Sequence, residues 1–140
     1  MSSSEKSCCA PLRVKLVFAC SGASDVGGIA DQAARRVAGS KAACMSCVAG
    51  LGAEIPDILE IARVSPRIVA IDGCDRECVR LCLEKAGLKG FSHVKLHEMG
   101  MEKRKTPPTE ERIQRVADKA IELLKAPAAG EAAETGAAAS

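Results

Sequence analysis

Two hydrophobic periods alternate along this chain. Short apolar runs of strand length are each followed by a longer segment whose apolar residues recur at helical spacing. The first run is Leu12 to Ala19, and its later half is continuously apolar, as a parallel strand buried on both faces is. The turn CSGASDVGG, Cys20 to Gly28, leads into a helix from about Val26 to Ala38, with Ile29, Ala33, Ala34 and Val37 on one side and Gly39 as its stop. Ala42 to Val48 reads as a short second strand, with Gly50 and Gly52 in the turn after it. Pro56 suits the first turn of a helix that buries Ile58, Leu59 and Ala62. Arg67 to Ile71 is a third strand running into Asp72-Gly73-Cys74, and a helix from about Arg76 to Ala86 follows, ended by Gly87. Ser92 to Glu98 alternates cleanly, Val94 and Leu96 inward, His93, Lys95 and His97 outward, which suits an edge strand. After a polar loop, Met99 to Pro108, a last helix from about Thr109 to Leu124 carries Ile113, Val116, Ala117, Ala120, Ile121 and Leu124 at helical spacing.

The order βαβαβαβα predicts an α/β fold: a small, doubly wound, mostly parallel four-stranded sheet with helices on both faces. Right-handed crossovers and a Rossmann-like strand order 2-1-3-4 put a reversal of direction between strands one and three. That leaves a crevice at their carboxyl ends. The 140 residues suffice for one domain, read as residues 12–125. Residues 1–11 and the Ala-, Gly- and Glu-rich residues 126–140 read as disordered tails.

Charge and composition exclude several functions. Twenty Lys and Arg against 18 Asp and Glu leave a formal +2, too weak a field to argue for nucleic acid. Trp and Tyr are absent and Phe occurs twice, so a site built on stacking of bases or sugars on aromatic rings is not expected. No stretch has the roughly 18 apolar residues of a membrane span. The first apolar run is short and carries Lys15, unlike a signal peptide. The expected location is therefore the cytoplasm, where structural disulfides are rare and clustered cysteines serve metal or redox chemistry.

Eight cysteines stand at positions 8, 9, 20, 44, 47, 74, 78 and 82. Cys20 follows strand one, Cys47 ends strand two and Cys74 follows strand three, so order 2-1-3 sets them side by side at the carboxyl edge. Cys78, one helical turn beyond Cys74, points at the same place. Four thiols there suit Zn²⁺ at a Zn–S distance near 2.3 Å. Helix N-termini stabilise thiolates, Gly22, Gly50 and Gly73 let backbone N–H groups approach the sulfurs, and Arg76 is the nearest cation for a site of net charge −2. An iron–sulfur cluster can use the same ligands. Cys82, a turn further down the helix, and Cys44, inside a strand, read as core packing, and Cys8 and Cys9 as incidental tail thiols.

The segments C20-S-G-A-S-D-V-G27, C47-V-A-G-L-G52 and I71-D-G-C-D-R-E-C78 together resemble the DGC-domain family, small proteins named for an Asp-Gly-Cys triplet and described as zinc-binding. The resemblance spans about Arg13 to Leu124 and implies chelation by Cys20, Cys47, Cys74 and Cys78, but it carries no established reaction. The leading expectation is thus a protein with a four-cysteine zinc site and no assigned reaction. One alternative is a thiol redox enzyme, or a sulfur, metalloid or metal carrier, with Cys20 or Cys74 as nucleophile and Cys78 or Cys47 resolving. The other is an iron–sulfur protein. A small thiol, a sulfur donor or a metal donor is the partner such chemistry implies.

The remaining polar residues have quieter expected roles. The Cys20 turn has neither a Walker Lys nor a dinucleotide-binding glycine pattern, so it reads as folded around its thiol. Asp25 is expected to cap the first helix and Asp72 to bond the backbone of the Cys20 turn. His93 and His97 are expected to face solvent. Met99 and Met101 lie near the site's edge, as shields or as loop.

Overall fold

Four strands, β1 (Leu16–Ala19), β2 (Cys44–Met45), β3 (Ile68–Asp72) and β4 (Ser92–Lys95), pair in parallel in the order β2-β1-β3-β4. The computed structural model describes residues 13–126; the two segments read as tails, save Ala126, lie outside them, and so do Cys8 and Cys9. Alternation along β1 divides the core. Val17 and Ala19 face one layer, made by α1 (Asp25–Gly39) and α5 (Glu110–Lys125). Leu16 and Phe18 face the other, made by α2 (Val48–Gly52), α3 (Pro56–Val64) and α4 (Cys78–Lys85). The predicted helical faces are the buried ones: Ile29, Ala33, Ala34 and Val37 on α1, and Ile113, Val116, Ala117, Ala120 and Leu124 on α5. A fully buried Leu, Ile or Phe contributes about 1.5–3 kcal/mol over an exposed one. Two such layers hold the sheet by apolar packing on both faces.

Several boundaries differ from the sequence reading, each for a local reason. β1 begins only at Leu16, where pairing with both Cys44 and Ile68 begins. β2 has two residues, not seven, because Cys47 already caps a short helix. That helix, α2, contains Gly50 and Gly52, poor helix formers that read as a turn. β4 stops at Lys95 and continues as a 3₁₀ turn, Leu96–Met99; Leu96 stays buried, so alternation looks uninterrupted. α4 starts at Cys78, two residues later than expected, after Glu77 in the left-handed region (φ 50°).

The far end of the molecule is closed by cations. Lys15, before β1, donates from Nζ to the Leu124 carbonyl at 2.9 Å, and Arg67, before β3, donates to the Leu123 carbonyl at 3.2 Å. Positive side chains on the last free carbonyls of α5 also suit its dipole.

Candidate thiol and metal site

The carboxyl edge of the sheet carries a cleft of about 600 Å³ whose walls include Cys20, Cys74, Cys78, Arg76, Lys103 and Arg104. Cys20 is seated first. Its amide donates to the Ile71 carbonyl at 3.0 Å, fixing the chain as it leaves β1. Its sulfur receives the N–H groups of Gly22 and Gly73, the two glycines expected to approach it. Burial nevertheless dominates and pushes the Cys20 thiol up; the Gly22 N–H opposes this, while Cys78 and Asp72 add to it. Without a metal, Cys20 is therefore held as a neutral thiol more firmly than an exposed cysteine.

The Asp72-Gly73-Cys74 triplet has a separate structural reason at each position. Asp72 is 1% exposed, and its carboxylate accepts from the Val79 amide at 2.8 Å and the Arg80 amide at 3.1 Å. It therefore caps α4 from the end of β3. This corrects the expected bond to the Cys20 turn: it satisfies α4's free N–H groups instead, and Glu77, at the N-cap position, makes no side-chain cap. Gly73 lies where α1 begins, and a Cβ there would stand 2.8 Å from the carbonyl carbon and oxygen of Val26. Cys74 then leaves the sheet into the cleft wall. Because residues 74–77 form a turn and not a helix, Cys78 reaches the cleft as the first residue of α4 and not as the next turn of a helix holding Cys74.

Two further expectations are corrected. Ser24, not Asp25, caps α1, accepting from the Gly27 amide at 3.1 Å. Asp25 reaches across to a loop far along the chain, accepting from the amides of Arg104 and Thr106, each at 2.8 Å. These bonds hold its carboxyl below the usual range. His93 is not solvent-facing: its side chain is 12% exposed and its Nε2 lies 2.8 Å from Asp72. An ionised carboxylate only accepts, so Nε2 is the donor. The start of α4 covers the face of β4 that the sequence pattern leaves wet, and Glu77 and Lys95 complete the network.

His97 is exposed as expected, but the 3₁₀ turn brings it to a second cleft beside Cys74, with Asp75, Glu102 and Lys103. No feature of the alternating pattern marks that turn. Met101 is buried and Met99 packs on the same core layer, so neither is simply loop. Cys82 packs on the other layer, with its sulfur 3.7 Å from where a Cβ on Gly52 would stand, and Cys44 packs on that layer too. Cys47 is exposed, caps α2 and lies outside the cleft's walls. Among the described residues, no three His, Cys, Asp or Glu side chains already stand in ligand geometry.

Comparison with known proteins now adds to this geometry. The family model for the DGC domain matches residues 16–120. The chain belongs to the DGC-domain family. One relative, "Anaerobic and virulence modulator AnvM" of Pseudomonas aeruginosa, is 40% identical over 89 residues, covering 64% of this chain and 68% of its own length. No solved structure matches. The DGC match takes in all four strands and the entire cleft, including Lys103 and Arg104. Among the described residues, no helix is long and apolar enough to cross a membrane.

Proposed function

We propose that this DGC-domain protein binds Zn²⁺ at the carboxyl edge of its sheet through Cys20, Cys47, Cys74 and Cys78. The observation that carries the reading is that three of these thiols, one from the end of β1 and two from the β3–α4 connection, line one cleft. The donor set fits the ion: thiolates are soft ligands for zinc, the Gly22 and Gly73 amides face the Cys20 sulfur, and Arg76 stands in the same cleft against the excess negative charge. The bound ion would supply a Lewis acid and would hold its ligands deprotonated. The chain's own part is to turn the thiols of Cys20, Cys74 and Cys78 inward from the cleft walls, with Cys47 closing from the neck of α2. Zinc would also reverse the upward push on Cys20.

A second reading has one observation in its favour. Cys74 shares a cleft with His97, a side chain able to take a thiol proton, which suits a Cys74 nucleophile in thiol exchange or in sulfur or metal carriage. The half-buried Cys20 thiol, pushed up by its burial, is the poorer nucleophile of the two named by sequence. We assign the protein to the cytoplasm on its clustered cysteines, and give it no nucleic-acid partner on its weak net charge and its having neither Trp nor Tyr.

Protein prepared under reductant without chelator is expected to hold about one Zn²⁺ per chain. Elemental analysis paired with thiol titration measures this. Metal-free protein in which every thiol reacts freely, and which takes up no added zinc, would overturn the zinc reading.

A further inference from the structure

The thiol cleft carries a second chemistry on its outer wall. Arg76, Lys103 and Arg104 all line it, and all three are exposed. Among the described residues, none of these side chains has an ion-pair or hydrogen-bond partner. Several cations elsewhere are matched, Arg35 with Asp31, Arg36 with Glu110, Arg80 with Glu84, and Lys105, the next residue along, with Glu102, whereas the cleft gathers three unpaired ones on one wall. The carboxylate on the cleft wall, Asp25, does not neutralise them through a side-chain pair. Its oxygens are spent on the amides of Val26, Arg104 and Thr106. Those same bonds pin the 104–106 backbone, with Arg104 in the left-handed region at φ 72°, and so fix where Lys103 and Arg104 leave the chain.

The start of α1 is not an anion seat in its own right. The Val26, Gly27 and Gly28 amides are already taken by Asp25, the Ser24 hydroxyl and the Ser24 carbonyl. Attraction in the cleft therefore rests on side chains. A volume of about 600 Å³ lies within the range of small-molecule sites, roughly 300–1,000 Å³, and is far too roomy for one inorganic oxyanion.

We propose that the cleft binds a small organic polyanion, its acidic groups held by Arg76, Lys103 and Arg104 and its other end against Cys20, Cys74 and Cys78. Carboxylates and phosphates share the required chemistry. This deepens the reading above, because whatever the thiols receive or release would come as an anionic molecule. It does not depend on zinc, since the cations are charged with or without metal.

The test uses reduced, metal-free full-length protein and two alkylating agents of similar size, anionic iodoacetate and neutral iodoacetamide. The ratio of their rates at one cysteine cancels that site's thiolate fraction and reports the local field. Mass spectrometry reads the ratio at each cysteine, with Cys82, which lies outside the cleft, as the internal reference. The expected ratio is about fivefold higher at the cleft thiols, the scale of two net positive charges acting through water. It should fall to the Cys82 value in the triple variant Arg76→Gln, Lys103→Gln, Arg104→Gln, whose fold is checked by circular dichroism. In wild-type protein, millimolar citrate or fructose 1,6-bisphosphate should suppress the excess, the better competitor showing which acid group is preferred. Equal ratios inside and outside the cleft, suppression by neither probe, or suppression equally well by inorganic phosphate would each overturn the proposal. A separate zinc titration of the same preparation keeps the two readings distinguishable, because either result can fail while the other stands.

Discussion

Gly73 and Asp72 show how tightly single positions are specified here. A methyl group at residue 73 would press on the Val26 carbonyl, and backbone at a helix start has little room to yield. Gly73→Ala should therefore destabilise the protein by about 1–3 kcal/mol, read as a lower urea midpoint at unchanged slope. Asp72→Asn exchanges a buried acceptor of three hydrogen bonds for a group with one acceptor and one misplaced donor. A loss of about 2–3 kcal/mol is expected, again by urea unfolding. Asp25 gives a pH signature. Its carboxyl sits below the usual range in the folded protein because the Arg104 and Thr106 amides bond to it. Its contribution is therefore complete above the unfolded value of about 3.9 and is lost as pH falls through the lower native value. In acid titrations followed by thermal melting, Asp25→Asn should remove the part of the pH dependence that lies below about pH 4.

At the scale of elements, α4 separates two kinds of cysteine along one helix. Cys78 begins it at the cleft, whereas Cys82 lies on the side packed against the α2–α3 layer. In competition with a chromogenic chelator, Cys20→Ser, Cys74→Ser and Cys78→Ser should each weaken zinc binding far more than Cys82→Ser. Cys82→Ser should instead lower thermal stability. Equal loss from all four would remove the distinction between cleft and core. The elements also show what the sequence made readable. The convergence of Cys20 and Cys74 followed from strand order, because residues just past parallel strand ends share an edge, whereas Cys78 reaches the cleft by starting α4 and not by the helical turn its spacing suggests. The extra helix α2 did not, because its glycines mask it. Nor did the burial of His93, since alternation tells which face a residue takes but not what packs over that face. The roles of Asp25, Lys103 and Arg104 depend on bonds spanning 79 and 81 residues, which no local pattern carries.

For the whole molecule, both core layers are apolar, and the sheet and its five helices make their contacts without the cleft thiols at their centre. Removing zinc under reductant should therefore leave far-UV circular dichroism nearly unchanged and lower Tm by less than about 10 °C. Collapse on chelation would make the metal a structural staple. Survival would leave it free for exchange, which is what carriage or relay requires. The four-stranded order and the two covered faces were legible because continuous apolar strands and one-sided helices admit few other arrangements.

The clasp of Lys15 and Arg67 on the last turn of α5 sets a polarity along the molecule. Both cations precede strands whose other ends deliver Cys20 and Cys74. Ala126 therefore leaves from the pole opposite the thiols. An affinity tag, fluorophore or surface linkage joined beyond that residue would hold the molecule by its base and present the cleft outward. Immobilised protein should then exchange ligands in flow as freely as protein in solution.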